Sequence, residues 1–134
     1  MKAYIISDAE FQNAEYTKLH DALCGYLSKS GFQIEEKSLH KEELAFCKGC
    51  FDCWVKKPGE CIVEDEMGHI NFVNMNSDVV FYLTPVVFGQ FSANIKNVID
   101  RWLPNILPFF KRDAKGLTSH VARYPSYPKQ IIIG

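Results

Sequence analysis

Four cysteines crowd one stretch of the sequence, and their type and spacing suit them to chemistry. Cys47, Cys50, Cys53 and Cys61 follow the spacing C-x₂-C-x₂-C-x₇-C. Three thiols two residues apart can point inward from one tight turn, and nearby glycines let the backbone fold around a centre. The spacing is compatible with an iron–sulfur cluster, although a bacterial ferredoxin run has a shorter last gap and a proline after it. Unligated redox-sensitive thiols and a zinc site are the alternatives, and structural zinc usually uses two separated pairs.

No other group of residues has the spacing of a known catalytic site. The histidines are scattered without a paired metal spacing, so each is interpreted as an exposed or hydrogen-bonded residue: His20, His40, His69 and His120. Cys24 falls within a predicted helix and is expected to pack as a small apolar residue. There is no nucleophile elbow and no Walker loop. We therefore assign no side chain as a catalytic acid or base.

A second candidate site follows a predicted buried strand, Val79–Leu83, which is rich in β-branched and aromatic residues. The strand stops at Thr84-Pro85 because proline cannot donate to a sheet ladder. Gly89 lets the following backbone approach a ligand closely. Ser92 is expected to cap a helix whose apolar residues recur at three- and four-residue spacing. Ligands of open α/β sheets lie beyond the carboxyl ends of the strands, so residues 84–91 are the predicted ligand loop.

Residues 84–101 resemble the flavin loop of the flavodoxin-like NAD(P)H-dependent FMN reductases and their iron–sulfur flavoprotein relatives. Those proteins carry T-P-V-Y-[FW]-G-S-x-S-A-x-[LI]-K-x-[FI]-[IL]-D-R, and this sequence keeps Thr84, Pro85, Val86, Gly89, Ser92, Ala93, Lys96, Asp100 and Arg101. It departs at Val87, where tyrosine is usual, and at Gln90, where serine is usual. The resemblance implies that the loop lines the isoalloxazine ring of FMN with backbone amides, through Thr84, Pro85, Val86, Val87, Phe88, Gly89 and Gln90. Lys96, Asp100 and Arg101 are equally well explained as a solvated helix face.

The cysteine spacing is also similar to the cluster-binding motif of the iron–sulfur flavoproteins, and it lies in the matching place after the second predicted strand. In those relatives the four thiolates hold a [4Fe–4S] cluster that exchanges single electrons with FMN. The resemblance therefore implies a ligand set of Cys47, Cys50, Cys53 and Cys61. The same pattern occurs in flavin reductases in which no cluster need be present, so the three alternatives stay open.

The loop after the first predicted strand departs most from these relatives, which show a G-S-P-R-x-x-x-N-T style segment there. That segment holds the FMN phosphate at a helix N-terminus. Ser7 and Thr17 match the hydroxyl positions, and Asn13 offers another donor. Residues 7–17 contain no arginine or lysine but three carboxylates, Asp8, Glu10 and Glu15. Carboxylates repel a phosphate dianion unless they point out to water.

Strands alternating with helices predict an α/β fold with right-handed crossovers and a parallel sheet. The predicted strands are Lys2–Ser7, Phe32–Leu39, Val79–Leu83 and Gln130–Ile133, with helices over about 14–30 and 65–76 and from Ser92 onward. We expect one flavodoxin-like, doubly wound domain over residues 1–134, with strand order 2-1-3-4 and the fifth strand missing. The last strand would be an apolar edge, so another subunit or the irregular segment 111–127, with a short strand near 119–123, is expected to cover it.

Length, charge and cysteine content limit the class of partner. The 134 residues fit one domain, and a net charge of −1 gives no electrostatic basis for nucleic acid or an anionic membrane. No apolar run approaches the roughly 20 residues of a membrane span, and a signal-peptide pattern is absent. Five cysteines, four of them in one loop, suit a reducing cytoplasm better than a secreted disulfide framework.

These observations favour an FMN-dependent oxidoreductase or electron-transfer flavoprotein, with a [4Fe–4S] cluster as an additional cofactor. The resemblance implies a nicotinamide or protein electron donor. It also implies a homodimer or higher homo-oligomer, because the flavin of such relatives lies close to a subunit interface. The alternative is a shortened flavodoxin-like module that has lost its cofactor and acts by association or thiol sensing. The acidic first loop and the missing fifth strand favour that alternative.

Overall fold

A computed structural model describes all 134 residues. The strands are β1 (Lys2–Asp8), β2 (Gln33–Leu39), β3 (Val79–Leu83), β4 (Ile106–Arg112), β5 (Thr118–Ala122) and β6 (Lys129–Ile133). Four of them form a parallel sheet in the order β2-β1-β3-β6, while β4 and β5 pair antiparallel in a separate sheet. The predicted parallel α/β architecture and the order of its four strands are therefore confirmed, in agreement with a flavodoxin-like fold.

The helices connect the parallel strands, and two of them begin at a polar side-chain cap. They are α1 (Ala14–Lys29), α2 (Asp52–Val55), α3 (Met67–Met75) and α4 (Ala93–Asp100), with short 3₁₀ turns at Ala9–Phe11 and Leu103–Asn105. The Asn13 side chain accepts a hydrogen bond from the Tyr16 amide (2.8 Å), and Ser92 caps α4 through the Ile95 amide (3.5 Å). No helix combines the length and apolar character that crossing a bilayer requires.

The sheet is covered on both faces, which gives the molecule two hydrophobic clusters. The cluster on the α1 face contains Ala3, Ile5, Leu27, Val79, Phe81 and Leu83. The cluster on the other face joins the sheet to α3 and α4 through Tyr4, Ile6, Leu39, Leu44, Met67, Ile70, Val73, Val80, Tyr82, Ile95 and Val98. Every residue of β3 is buried, as the continuous apolar run predicts. Phe72 of α3 belongs to neither cluster, since this apolar side chain is 67% exposed.

Residues 103–122 fold more regularly than the sequence indicates. The short strand expected near Ser119 is present as β5, but its partner β4 was not predicted because Pro104 and Pro108 discourage strand assignment. Pro108 lies where the β4–β5 register shifts, and an irregular ladder tolerates a residue without an amide hydrogen. The segment is therefore a β-hairpin rather than an irregular excursion.

The outer edge of β6 has no strand partner within the chain, since β6 is the last strand of the parallel sheet. The hairpin pairs only with itself, so the prediction that segment 111–127 covers this edge is wrong. Ile132 is 47% exposed there. Cover by another subunit remains a prediction.

Candidate functional site

The loop that follows β3, residues 84–91, is fixed at its base by one buried hydroxyl. The Thr84 hydroxyl accepts a hydrogen bond from the Ser92 amide (2.9 Å) and donates to the Pro85 carbonyl (3.1 Å). This β3 loop then closes in a tight turn in which the amides and carbonyls of Val87 and Gln90 bond reciprocally at 2.9 and 3.0 Å. Thr84 therefore joins the end of β3 to the first turn of α4.

The tip of the β3 loop presents unpaired backbone amides. Phe88 and Gly89 both have positive φ, 49° and 74°, as the two central residues of a type I′ turn require. Their amides donate to no group in the chain. A left-handed backbone costs a non-glycine residue such as Phe88 about 1–2 kcal/mol. The Phe88 side chain is fully exposed, so no packing inside the chain offsets this cost. A strained, exposed aromatic residue beside free amides is typical of a ligand-contacting turn.

A cavity of about 240 Å³ lies between the β3 loop and the loop that follows β1, residues 8–13. It is lined by Asp8, Phe11, Asn13, Glu15, Tyr16, Leu19, Leu83, Thr84, Pro85, Ile133 and Gly134. The carboxyl ends of β1, β3 and β6 therefore meet at this loop cavity, where parallel α/β sheets bind ligands. Of the residues predicted to bind a cofactor, only Asn13, Thr84 and Pro85 line it.

The other predicted contact residues lie around the loop cavity rather than in its wall. Ser7 is buried, and its hydroxyl lies 3.5 Å from the Ser38 hydroxyl. The Thr17 hydroxyl donates to the Asn13 carbonyl at 3.0 Å. The remaining five belong to the turn of the β3 loop: Val86, Val87, Phe88, Gly89 and Gln90. The predicted cofactor contacts therefore lie in two places, the turn with free amides and the cavity between the two loops.

The loop cavity is acidic. Asp8 is 2% exposed, and its Oδ1 accepts hydrogen bonds from the Glu10 amide and the Asn94 side chain, both at 3.0 Å. Its Oδ2 is buried without a partner. Glu15 also lines the cavity, and no lysine or arginine does. The free amides of Ala14 and Glu15 at the start of α1 suit an anion, but these carboxylates oppose one.

The four predicted metal ligands share a second cavity beyond the end of α4. Cys47, Cys50, Cys53 and Cys61 all line it, with Cys47 and Cys50 exposed and the other two half-buried. Gly49 and Gly59 both have positive φ, so the turns that bring the thiols together depend on glycine. The structure therefore brings the whole predicted ligand set to one place, which we call the cysteine cavity.

The four thiols of the cysteine cavity are not clustered around a single point. A tetrahedral zinc ion bound by thiolates holds its sulfur atoms about 3.8 Å apart, because each Zn–S bond is about 2.3 Å long. No three of these four sulfur atoms lie within 4.8 Å of one another. A [4Fe–4S] cluster spreads its thiolates more widely, since each binds a different iron. In the chain without a metal, the four thiols are therefore not gathered as closely as one zinc ion would hold them.

Arg101 fastens both ends of the cysteine segment, residues 44–65, to the end of α4. Its guanidinium donates to the Ala45 carbonyl (3.0 Å) and the Cys61 sulfur (3.4 Å), and it pairs with the Asp65 carboxylate. The interpretation of Arg101 as part of a solvated face is wrong, because it is 2% exposed. Lys96 and Asp100 do form an exposed i,i+4 ion pair.

Ionisation in the Arg101–Asp65 pair follows from its burial and its hydrogen bonds. Burial alone would raise the pKa of Asp65, but the hydrogen bond from Arg101 and the amides of Ala45 and Met67 lower it below its ordinary value.

In the cysteine cavity, burial raises the pKa of the Cys53 thiol, and the neighbouring Cys61 raises it further. A metal that binds there would therefore displace protons.

One face of α4 connects all of these loops. Asn94 bonds to Asp8 of the β1 loop, Asn97 donates to the Leu44 carbonyl (3.0 Å), and Arg101 holds the cysteine segment. Sequence reasoning missed this polar face, although the spacing 94, 97, 101 is helical. The spacing shows that the three residues share a face, but not that the face is buried.

Comparison with curated proteins adds to this geometry. The chain is 33% identical over 104 residues to an iron–sulfur flavoprotein of Archaeoglobus fulgidus. The aligned region covers 78% of this chain and 46% of that protein. The chain is 30% identical over 116 residues to an iron–sulfur flavoprotein of Methanocaldococcus jannaschii, covering 87% and 59%. The iron–sulfur flavoprotein of Methanosarcina thermophila is 27% identical over 101 residues, covering 75% and 52%.

Over the aligned residues the chain is similar to these curated iron–sulfur flavoproteins. It spans about half the length of the curated iron–sulfur flavoproteins that it matches. No family model matches it. The resemblance drawn from the β3 loop and the cysteine spacing is thereby confirmed.

Proposed function

We propose that this chain binds FMN at the β3 loop and a [4Fe–4S] cluster in the cysteine cavity, as an electron-transfer flavoprotein of the NAD(P)H-dependent FMN reductase type. When bound, the two groups supply the redox chemistry, because the flavin accepts one or two electrons and the cluster one. The chain's own residues bind and orient the groups. No side chain acts as an acid or base in this proposal.

The observation that carries the proposal is the position of α4. The helix begins at Ser92, directly after the β3 loop, and ends against the cysteine cavity at Arg101. Its eight residues span about 12 Å, at about 1.5 Å per residue. A helix of this length holds the β3 loop and the cysteine segment in fixed positions, and short separations favour electron transfer. The two candidate sites are therefore arranged as an electron-transfer pair would need.

The ring end of the flavin site is supported by backbone amides that donate to no other group in the chain. An isoalloxazine ring carries carbonyl and nitrogen acceptors at its edge, and the Phe88 and Gly89 amides are free to donate to them. The exposed Phe88 and Val86 side chains offer apolar contact area beside the amides. The residues proposed to contact the ring remain Thr84, Pro85, Val86, Val87, Phe88, Gly89 and Gln90.

The phosphate end fits less well. We assign Ser7, Asn13 and Thr17 to it, but only Asn13 lines the loop cavity, beside Asp8 and Glu15. A phosphate dianion there meets helix amides but no cation and two carboxylates. The proposal therefore rests on the ring. It predicts that riboflavin, which lacks the phosphate, binds at least as tightly as FMN.

The cysteine cavity supports a cluster through its ligand set and its surroundings. The four thiols line one cavity, so a single centre can recruit all of them. The Arg101 hydrogen bond to the Cys61 sulfur is of the kind that stabilises reduced clusters and tunes their potential. Cys47, Cys50, Cys53 and Cys61 are the proposed ligands.

The partners of the proposed activity are a nicotinamide or protein electron donor and a second copy of the chain. The uncovered β6 edge and the exposed Phe46, Phe51, Phe109 and Phe110 side chains favour association. We propose a homodimer or higher homo-oligomer, in which the 134 residues form one flavodoxin-like domain.

The second candidate function is a module without cofactors that acts by association or thiol sensing. The acidic loop cavity, with its partnerless Asp8 oxygen, favours this alternative. It predicts free thiols and no flavin affinity.

Iron and acid-labile sulfide analysis of anaerobically purified protein tests the cluster. We expect about four of each per chain with a broad visible absorption band, retained in Cys24→Ser and lost in Cys53→Ser. Cys24→Ser is the matched control because Cys24 lies outside the cysteine cavity. Equal iron contents in the two variants, or a metal-free parent, would contradict the cluster and leave the flavin proposal to be judged separately by titration.

A further inference from the structure

A third group of potential ligands lies away from both sites, between α1 and β2. The His20 Nε2 and Glu36 Oε2 atoms are 2.7 Å apart, the Cys24 sulfur is 3.6 Å from His20 Nε2, and it is 3.8 Å from Glu36 Oε1. Among the histidine, cysteine and acidic side chains of the chain, this is the one set of three whose donor atoms all lie within 4.8 Å.

Regular secondary structure positions the three side chains. His20 and Cys24 are four residues apart on α1, so they project from the same face of the helix. Glu36 lies on β2, which pairs with β1 beneath that helix. The Tyr16 ring stacks on the imidazole with centroids 5.7 Å apart, and this contact fixes its orientation. Cys24 packs against the cluster on the α1 face, as predicted, and it has these two polar neighbours as well.

The distances match those of a tetrahedral zinc site. With bonds of about 2.3 Å to sulfur and about 2.1 Å to nitrogen or oxygen, zinc separates its ligand atoms by about 3.4–3.6 Å. The Cys24 sulfur is already close to this range from His20 Nε2 and from Glu36 Oε1, whereas His20 Nε2 bonds the other carboxylate oxygen, Oε2. The His20–Glu36 hydrogen bond must open by less than about 1 Å, which a carboxylate rotation supplies.

Charge and surroundings suit a divalent ion. A neutral imidazole, a thiolate and a carboxylate together balance the charge of Zn²⁺. The Asp21 carboxylate is 3.5 Å from His20 Nδ1, where it can accept a hydrogen bond from the ring nitrogen that does not bind the metal. Glu36 is half exposed, so water has access to a fourth coordination position.

In the ligand-free state His20 and Glu36 form a hydrogen bond that competes with metal binding. Burial alone would lower the pKa of His20, but the hydrogen bond with Glu36 outweighs it and raises the pKa. Burial, followed by the charge of Glu36, raises the pKa of the Cys24 thiol. Reactive cysteines have lowered pKa values, so thiol chemistry is not favoured at Cys24.

We propose that His20 Nε2, Cys24 Sγ and a Glu36 carboxylate oxygen bind one zinc ion, with water as the fourth ligand. The ion would cross-link α1 to β2 on the face of the sheet opposite α4, independently of the cysteine cavity.

Cobalt and zinc titrations test this site in a background that leaves Cys24 as the only thiol, with Cys47, Cys50, Cys53 and Cys61 changed to serine. We expect one equivalent of Co²⁺ to give a thiolate-to-metal charge-transfer band and tetrahedral d–d bands, and zinc to displace it and raise the melting temperature. Cys24→Ser should abolish the band. His20→Gln and Glu36→Gln should weaken binding by more than about 100-fold, since even outer partners of a ligand contribute about 10–100-fold.

The chain contains a matched control pair in His69 and Glu35. These residues are 3.9 Å apart and exposed, with no cysteine completing a set. His69→Gln and Glu35→Gln should therefore leave cobalt binding unchanged. A folded four-serine background without the thiolate band, or equal losses in the control variants, would overturn the site. If that background does not fold, Cys24→Ser in the native chain must lower the zinc stoichiometry by one, and no change there would overturn it.

Discussion

Replacing Arg101 by methionine should destabilise the chain far more than the same change at Lys96. Lys96 lies within α4 and Arg101 caps its C-terminus, and both pair with a carboxylate. Arg101 is buried and donates to Ala45, Cys61 and Asp65, whereas the Lys96–Asp100 pair is about half exposed. Methionine keeps the length and apolar character of the stem at each position. The comparison therefore isolates the buried hydrogen bonds.

The magnitude follows from what each substitution leaves behind. Removing one partner of a buried ion pair costs about 3–5 kcal/mol, because the remaining charge is uncompensated. Asp65 keeps hydrogen bonds from the Ala45 and Met67 amides (both 3.1 Å), so we expect the lower end, about 3 kcal/mol. An exposed i,i+4 pair contributes only about 0.3–0.5 kcal/mol.

Urea unfolding of the metal-free chain, followed by circular dichroism, measures both values. Arg101→Met should lower the unfolding free energy by about 3 kcal/mol and the melting temperature by roughly 10 °C, with Lys96→Met within about 0.5 kcal/mol of the parent. The same variant should retain less iron after anaerobic reconstitution, since the cysteine segment loses its anchor. A loss below about 1 kcal/mol for Arg101→Met would refute the role assigned to this residue.

Four further predictions concern single groups. Phe88→Asn should raise the unfolding free energy of the flavin-free chain by about 1 kcal/mol, because asparagine tolerates the left-handed turn, and Gly89→Ala should lower it; a loss for Phe88→Asn would show that the turn is not strained. Asp8→Asn should tighten FMN binding at least about tenfold in calorimetry and leave riboflavin unchanged, since a dianion about 6 Å from a carboxylate is repelled by about 1.4 kcal/mol even at the dielectric constant of water; equal effects on both flavins would argue against a phosphate beside Asp8. Trp54→Phe should cost about 1–2 kcal/mol in urea unfolding, because the indole donates to the Leu103 and Ile106 carbonyls (3.1 and 2.9 Å), and Trp102→Phe, whose bond is 3.4 Å, should cost less; the reverse order would contradict this. The pKa of Asp65 is lower in the folded chain than its unfolded value of about 3.9, so the stabilisation is fully present above about pH 4 and is lost as the pH falls through the folded pKa. The parent should therefore lose stability more steeply than Arg101→Met below about pH 4. Parallel stability profiles would exclude that linkage.

The parts of the fold that the sequence predicts are those with strong local patterns. The apolar run Val79–Leu83 can only be a buried segment, and Ser92 ahead of an amphipathic stripe has the usual form of a helix start. The order of the parallel strands followed from alternation and from the resemblance. The strand β4 was missed because its register shift absorbs Pro108, and local propensity does not reveal an irregular ladder.

The sites were predictable to the extent that their residues are close in the sequence. The cysteine spacing and the β3 loop motif each identify a site from one segment. Arg101 and Glu36 have partners 36 to 56 and 12 to 16 residues away, so their roles depend on how helices pack on the sheet. A charged residue at a helix end is most often solvated, and only the tertiary structure shows Arg101 to be buried.

Flavin titration of the anaerobically purified chain tests the central claim, that the turn beyond β3 accepts an isoalloxazine ring. Quenching of flavin fluorescence should give micromolar or tighter binding, with riboflavin at least as tight as FMN and Asp8→Asn favouring FMN. Protein that leaves the fluorescence of both flavins unchanged at millimolar concentration would contradict the claim.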